Sequence, residues 1–154
     1  MAEKKSGISY EQIIKDLKAR KFAPVYVLMG DESFYIDKIC DFISENVLKP
    51  EEQDFNQTVV FGADVNAMQV VDMCKGYPMM AEFRVVVVKE AQNLRNLEPL
   101  EKYLQNPVKT TILVLCHKNG SIDRRKKFIP QAEKVGVVFE SKKLYDRQLP
   151  GFIE

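Results

Sequence analysis

A chain of 154 residues, 45% apolar and 29% charged, is long enough to bury one core and too apolar to stay disordered. Its formal net charge of +1 gives no general pull toward nucleic acid or acidic membranes, so any basic contact surface has to be a local patch. Cys40, Cys74 and Cys116 lie 34 and 42 positions apart with no CxxC pair, which argues against a disulfide framework and a structural zinc site and points to a reducing, cytoplasmic setting. The opening MAEKKSGISY has no apolar stretch of the signal-peptide kind, and no apolar run approaches the ~20 residues of a membrane span, so no membrane partner is expected.

In chain order, Ile13, Ile14 and Leu17 recur at helical spacing over Tyr10 to Lys21, with Ser9 placed as the cap. PVYVLMG, bounded by Pro24 and Gly30, has the length of a buried strand. A second helix is predicted from Ser33 to Leu48, with Phe34, Ile36, Ile39, Cys40, Ile43 and Val47 on its apolar side and Pro50 as its stop. DFNQTVVFGAD alternates as a strand does, with Phe55, Val59 and Phe61 as its apolar members. Val65 to Lys75 reads as a helix, and RVVVVK as a strand with no wet face.

The second half continues the alternation. A helix from about Leu97 to Leu104 is closed by Asn106-Pro107, and TTILVLC is another buried strand. Asp123 to Val135 is predicted as a helix that Pro130 must kink or split, and GVVFE is the last strand. The end, YDRQLPGFIE, reads as the opening turn of a further helix, which fits either a longer protein or a frayed terminus. Five strands alternating with helices, three of them apolar throughout, imply an α/β fold: a five-stranded, mainly parallel sheet flanked by helices in one domain over 1–154.

The turn from the first strand into the next helix is where nucleotide-binding α/β proteins hold phosphates. Such a loop needs GxxxxGK[ST], and GDESFYID keeps only Gly30. Tyr35 stands at the second glycine, Ile36 at the lysine and Asp37 at the magnesium-binding hydroxyl, while Asp31 and Glu32 add repulsion toward a triphosphate. The four valines of the central strand are followed by Lys89-Glu90, so a cation stands where a metal-binding Asp belongs. The nucleotide site is degenerate, and no cofactor is expected.

His117 is the sole histidine and reads as a loop residue after a buried strand; no catalytic residue and no metal ligand is assigned. The run Arg124, Arg125, Lys126, Lys127 offers a possible DNA contact, against the plainer reading of a solvated helix face. Met79 and Met80, after Gly76-Tyr77-Pro78, are apolar side chains where turn residues are usual. Local pattern alone favours their folding back onto the core.

The ordered strings PVYVLMGDESFYIDK, GYPMMAEFRVVVVKEAQNL, TTILVLC, DRRKKF, GVVFE and QLPGFI resemble the delta subunit of bacterial DNA polymerase III, a clamp-loader component, over nearly all the chain from Pro24 onward. The resemblance implies a P-loop NTPase, AAA+-like fold with an unused nucleotide site, and no intrinsic enzymatic activity. It implies that Met79 and Met80, supported by Tyr77, Pro78 and Phe83, enter an apolar pocket of the sliding clamp and help open the ring. It further implies lid and collar domains outside these residues, other clamp-loader subunits as partners through them, and primed DNA met through the complex. Many relatives carry Leu-Phe or Phe-Phe where this chain has two methionines. Two other readings stay open at this point: an ATP-binding P-loop enzyme with an atypical loop, and a DNA-binding module using 124–127.

Overall fold

The computed structural model describes residues 8–123 and 126–141. Arg124, Arg125 and the helix opening expected in YDRQLPGFIE lie outside the described residues. Strands β1 (Val25–Gly30), β2 (Gln57–Phe61), β3 (Arg84–Lys89), β4 (Thr111–Lys118) and β5 (Val137–Ser141) form one sheet in the order β2-β3-β4-β1-β5, every neighbouring pair parallel. Between them run α1 (Tyr10–Lys18), α2 (Ser33–Asn46), α3 (Pro50–Asn56), α4 (Ala67–Cys74), α5 (Glu98–Tyr103) and α6 (Phe128–Val135), with a 3₁₀ turn at Ala91–Asn93.

Each strand sends alternate side chains to opposite faces, so the consecutive valines of β3 divide between two cores. Val85 and Val87 join Tyr26, Leu28 and Val114 beneath α1 and α2. Val86 and Val88 join Val27, Leu113 and Leu115 beneath α4, α5 and α6. Helices on both faces explain why β1, β3 and β4 carry apolar runs rather than alternation. No helix of the described residues is long and apolar enough to cross a membrane.

Several boundaries differ from the sequence-based expectation, each for a local reason. Helix α1 does begin at the Ser9 cap, whose side chain accepts from the Gln12 amide, but it stops at Lys18 because Arg20 takes a left-handed φ of 58°. Helix α2 ends at Asn46, and Pro50 opens α3 instead of only closing α2, using a position where its missing N–H costs nothing. That short helix takes Phe55 out of the expected strand.

In β2 the expected inward set is reversed. Val59 and Phe61 are exposed, whereas Val60 packs against the core. Val59 lies beside Val87 on the face covered by α2, but β2 is the edge strand and α2 sits over the other strands. Phe34, expected on the apolar side of α2, is exposed as well. Helix α6 begins at Phe128, not Asp123. Pro130 therefore stands in its first turn and neither kinks nor splits it.

Candidate functional site

Because all strands point one way, the loop leaving β1 and the loop entering β3 lie at opposite ends of the sheet, the first at the carboxyl ends of the strands and the second at their amino ends. The first is the phosphate-loop position, and its donors are committed internally. Gly30 N–H donates to Gly120 O (3.0 Å) and Asp31 N–H to Ser141 O (3.2 Å), while the Glu32 carboxylate, as cap of α2, accepts from Phe34 N–H (3.0 Å). An anion at this helix start would meet a carboxylate already in place.

The other sequence-selected positions of this loop are also occupied. Ile36 is fully buried in the α1–α2 core. Tyr35 packs against Tyr10 (4.8 Å between ring centroids) and Phe34 (5.1 Å). Asp37 pairs with Lys118 at 2.8 Å, and this bond holds the Lys118 ammonium above the usual lysine range. Gly30 itself has φ 130°, and a Cβ built there would lie 1.9 Å from Ser141 O. Glycine is therefore required here for the approach of β5, independently of any phosphate.

His117 lies in β4 rather than in the loop expected for it, because the strand continues to Lys118. Its Nδ1–H donates to Gly120 O (3.1 Å), the same carbonyl that accepts from Gly30 N–H. Burial holds its pKa below the usual histidine range. The three thiols are free and buried, and burial pushes Cys74 up to about 12, so this thiol stays protonated at neutral pH. Lys126 and Lys127 are exposed on a cleft that also holds Arg95, Glu98, Glu101 and Asp123. The intermixed carboxylates weaken its attraction for phosphates.

The loop entering β3, residues 75–83, is built differently. Its start is tied down where α4 ends. Thr111 Oγ1–H donates to Cys74 O (2.7 Å) and Arg84 Nε–H to Met73 O (3.0 Å), so two helix-end carbonyls are satisfied by side chains from β3 and β4. Gly76 leaves room for that guanidinium, since a Cβ there would sit 3.1 Å from Arg84 Nε. The middle of the loop is held by Asn56, the last residue of α3, which is 1% exposed. Asn56 Oδ1 accepts from Met79 N–H (2.6 Å), and its Nδ2 donates to Met79 O (2.9 Å) and to Glu52 O (2.9 Å).

The side chains of this loop go outward. Tyr77 is 74% exposed, Met79 60% and Met80 99%, with Met80 in the left-handed region at φ 59°. Pro78 is half-buried. Phe83 packs partly buried on the core beneath α1 and α2 and meets Phe22 edge-on at 5.4 Å, so it anchors the loop's end. Phe55, adjacent to Asn56 and 68% exposed, adds apolar surface next to the same loop. Asn56 had escaped notice because its segment alternates like a strand. The PEEQDFN run, acidic after a proline and ending in Asn, is the signal of a short helix that could have identified it.

Comparison with known proteins places the chain in context. Residues 26–142 match the family model described as DNA polymerase III, delta subunit. The DNA polymerase III subunit delta of Bacillus subtilis (strain 168) is 29% identical over 148 residues, a match spanning 90% of this chain and 43% of that protein. The solved structure of the Bacillus subtilis DNA clamp loader delta protein (YqeN) superposes with a TM-score of 0.80 at 26% identity, over 94% of this chain and 45% of that one. A gamma subunit-related DNA polymerase III protein of Thermotoga maritima shares the fold at a TM-score of 0.52 and 12% identity, over 95% of this chain and 49% of that one. The chain thus spans less than half the length of the relatives it matches, and it has their AAA+-like fold.

Proposed function

Because this chain belongs to the delta-subunit family of DNA polymerase III, we propose that it is a non-catalytic clamp-loader module that binds the sliding clamp through Met79 and Met80 and helps to open it. The observation that carries the proposal is an apolar pair, 60% and 99% exposed, on a turn whose backbone is held by a buried asparagine. An exposed apolar pair gains nothing in the isolated chain, but in a partner's pocket it becomes an anchor of the kind that dominates interface energy. Burying both methionines contributes roughly 3–6 kcal/mol before association costs are subtracted. Methionine's flexible thioether suits an irregular apolar pocket. Tyr77 widens the contact, and Pro78 sets the angle at which the pair leaves the loop.

Ring opening needs no chemistry on this chain. A ligand that binds the open clamp better than the closed one shifts the clamp's own equilibrium by that difference in affinity. Hydrolysis of ATP belongs to other subunits, joined through lid and collar domains outside residues 1–154. That division of labour agrees with a β1–α2 loop whose amides are bonded to Gly120, Ser141 and Glu32.

The test is the double substitution Met79→Ala, Met80→Ala, with affinity for the cognate clamp measured by surface plasmon resonance. Affinity falls by about 100-fold or more, equivalent to about 2.7 kcal/mol. The melting temperature stays within a degree or two, because exposed side chains support little of the fold. Undiminished affinity in the folded double variant sinks the assignment.

A further inference from the structure

We propose that Asn56 is the positioning residue of the Met79–Met80 contact, holding the turn in its bound shape before the clamp arrives. The inference rests on the clamp-binding reading above and adds to it the group that presents the pair. Asn56, Thr111 and Ser141 are the buried polar residues of the described chain, and each is hydrogen-bonded to a backbone group outside its own strand or helix. Thr111 and Ser141 each make one such bond in the structure, to Cys74 O and Glu32 O. Asn56 differs in bonding both backbone groups, the N–H and the C=O, of a single residue. It accepts from Met79 N–H and donates to Met79 O, 23 positions along the chain.

This two-point grip behaves like a strand pairing of a single residue, and it fixes φ and ψ at Met79 as well as its place. Its third bond, to Glu52 O, ties the same side chain to α3, so the turn is referred to a rigid element instead of to another loop. Met80 then follows in the left-handed region at φ 59°, a conformation that a methionine adopts only where its surroundings determine it. The Met80 side chain makes no use of the core, being 99% exposed, so the strain at this residue has no packing return within the chain. It is the arrangement expected where a side chain is held out for a partner: ordering the backbone beforehand removes the entropy that a loose loop would lose on binding.

The mechanism predicts a kinetic signature that a purely supporting role does not. If Asn56 acts by keeping the turn in its competent shape, removing it lowers the fraction of competent molecules, and the apparent affinity falls by that fraction. The loss then appears in the association rate. Loss of a direct contact, as in Met80→Ala, appears in the dissociation rate.

The experiment compares Asn56→Ala, Met80→Ala and the combined variant by surface plasmon resonance against the cognate clamp. Asn56→Ala slows association about 10-fold with dissociation little changed, and its effect shrinks by at least half in the Met80→Ala background. An unaltered association rate in folded Asn56→Ala, or an undiminished effect beside Met80→Ala, overturns the inference while leaving the Met assignment standing. Clamp affinity unaffected by Met80→Ala together with Met79→Ala defeats the underlying assignment instead.

One measurement needs no variant: amide hydrogen exchange in the native chain. Exchange at Met79 N–H well below its intrinsic rate is expected, and exchange at the intrinsic rate overturns the grip directly.

Discussion

The loop leaving β1 and the loop entering β3 are both fixed in backbone, but they direct their side chains oppositely. After β1, Ile36 and Tyr35 turn inward, Asp37 is paired with Lys118, and the amides of Gly30 and Asp31 bond to Gly120 and Ser141. The amides and the aligned side chains that a phosphate loop would use there are engaged within the protein. Before β3, Asn56, Thr111 and Arg84 hold backbone carbonyls and an amide, and Tyr77, Met79 and Met80 are left to solvent. Rigidity alone therefore does not mark a functional loop; what matters is whether the fixed backbone has side chains left over for another molecule.

The strongest way to break this contrast is Gly30→Ala. The new Cβ meets Ser141 O at 1.9 Å, on a backbone at φ 130° that a side chain disfavours, so β5 must shift. Loss on the order of 3 kcal/mol is expected in urea unfolding. The folded fraction keeps its clamp affinity, since the Met turn lies at the other end of the strands. A fall in affinity of the folded form would show that the two loops are coupled.

A smaller effect comes from acidification. Burial depresses the pKa of His117 in the fold, while the unfolded chain titrates near the ordinary value of ~6.5. The unfolded state thus binds the proton first, and stability declines as pH falls through about 6.5 toward the folded-state pKa. The bond from Nδ1–H to Gly120 O persists in the charged ring, so the decline reflects the cost of holding a buried cation. Melting curves between pH 7.5 and 5.5 should show it, and His117→Gln should remove it, leaving the part due to carboxylates. The smallest expected effect is none: millimolar Mg-ATP leaves the melting temperature unchanged, because the loop's donors are engaged. A concentration-dependent rise would restore the β1 loop as a ligand site.

The order of elements and the parallel sheet were legible in the pattern of apolar runs, because a strand covered on both faces cannot carry polar residues. Edge position was not legible, and it reversed β2: Val59 and Phe61 look like core members until the sheet order places no helix over them. The packing of Phe83 on Phe22 was not legible either, since that partner is 61 positions away and unknown to local sequence.

By itself, then, the sequence determined the fold class, the loss of the phosphate-loop glycine and lysine, and the presence of two methionines where turn residues are usual. Those are statements about residue type and spacing, which the chain carries locally. Tertiary structure alone decided that Gly30 is required by Ser141 and that the methionines stay outside the core. It alone brought an asparagine from α3 to hold Met79, because contacts between positions 56 and 79 exist only once β2 and β3 are paired.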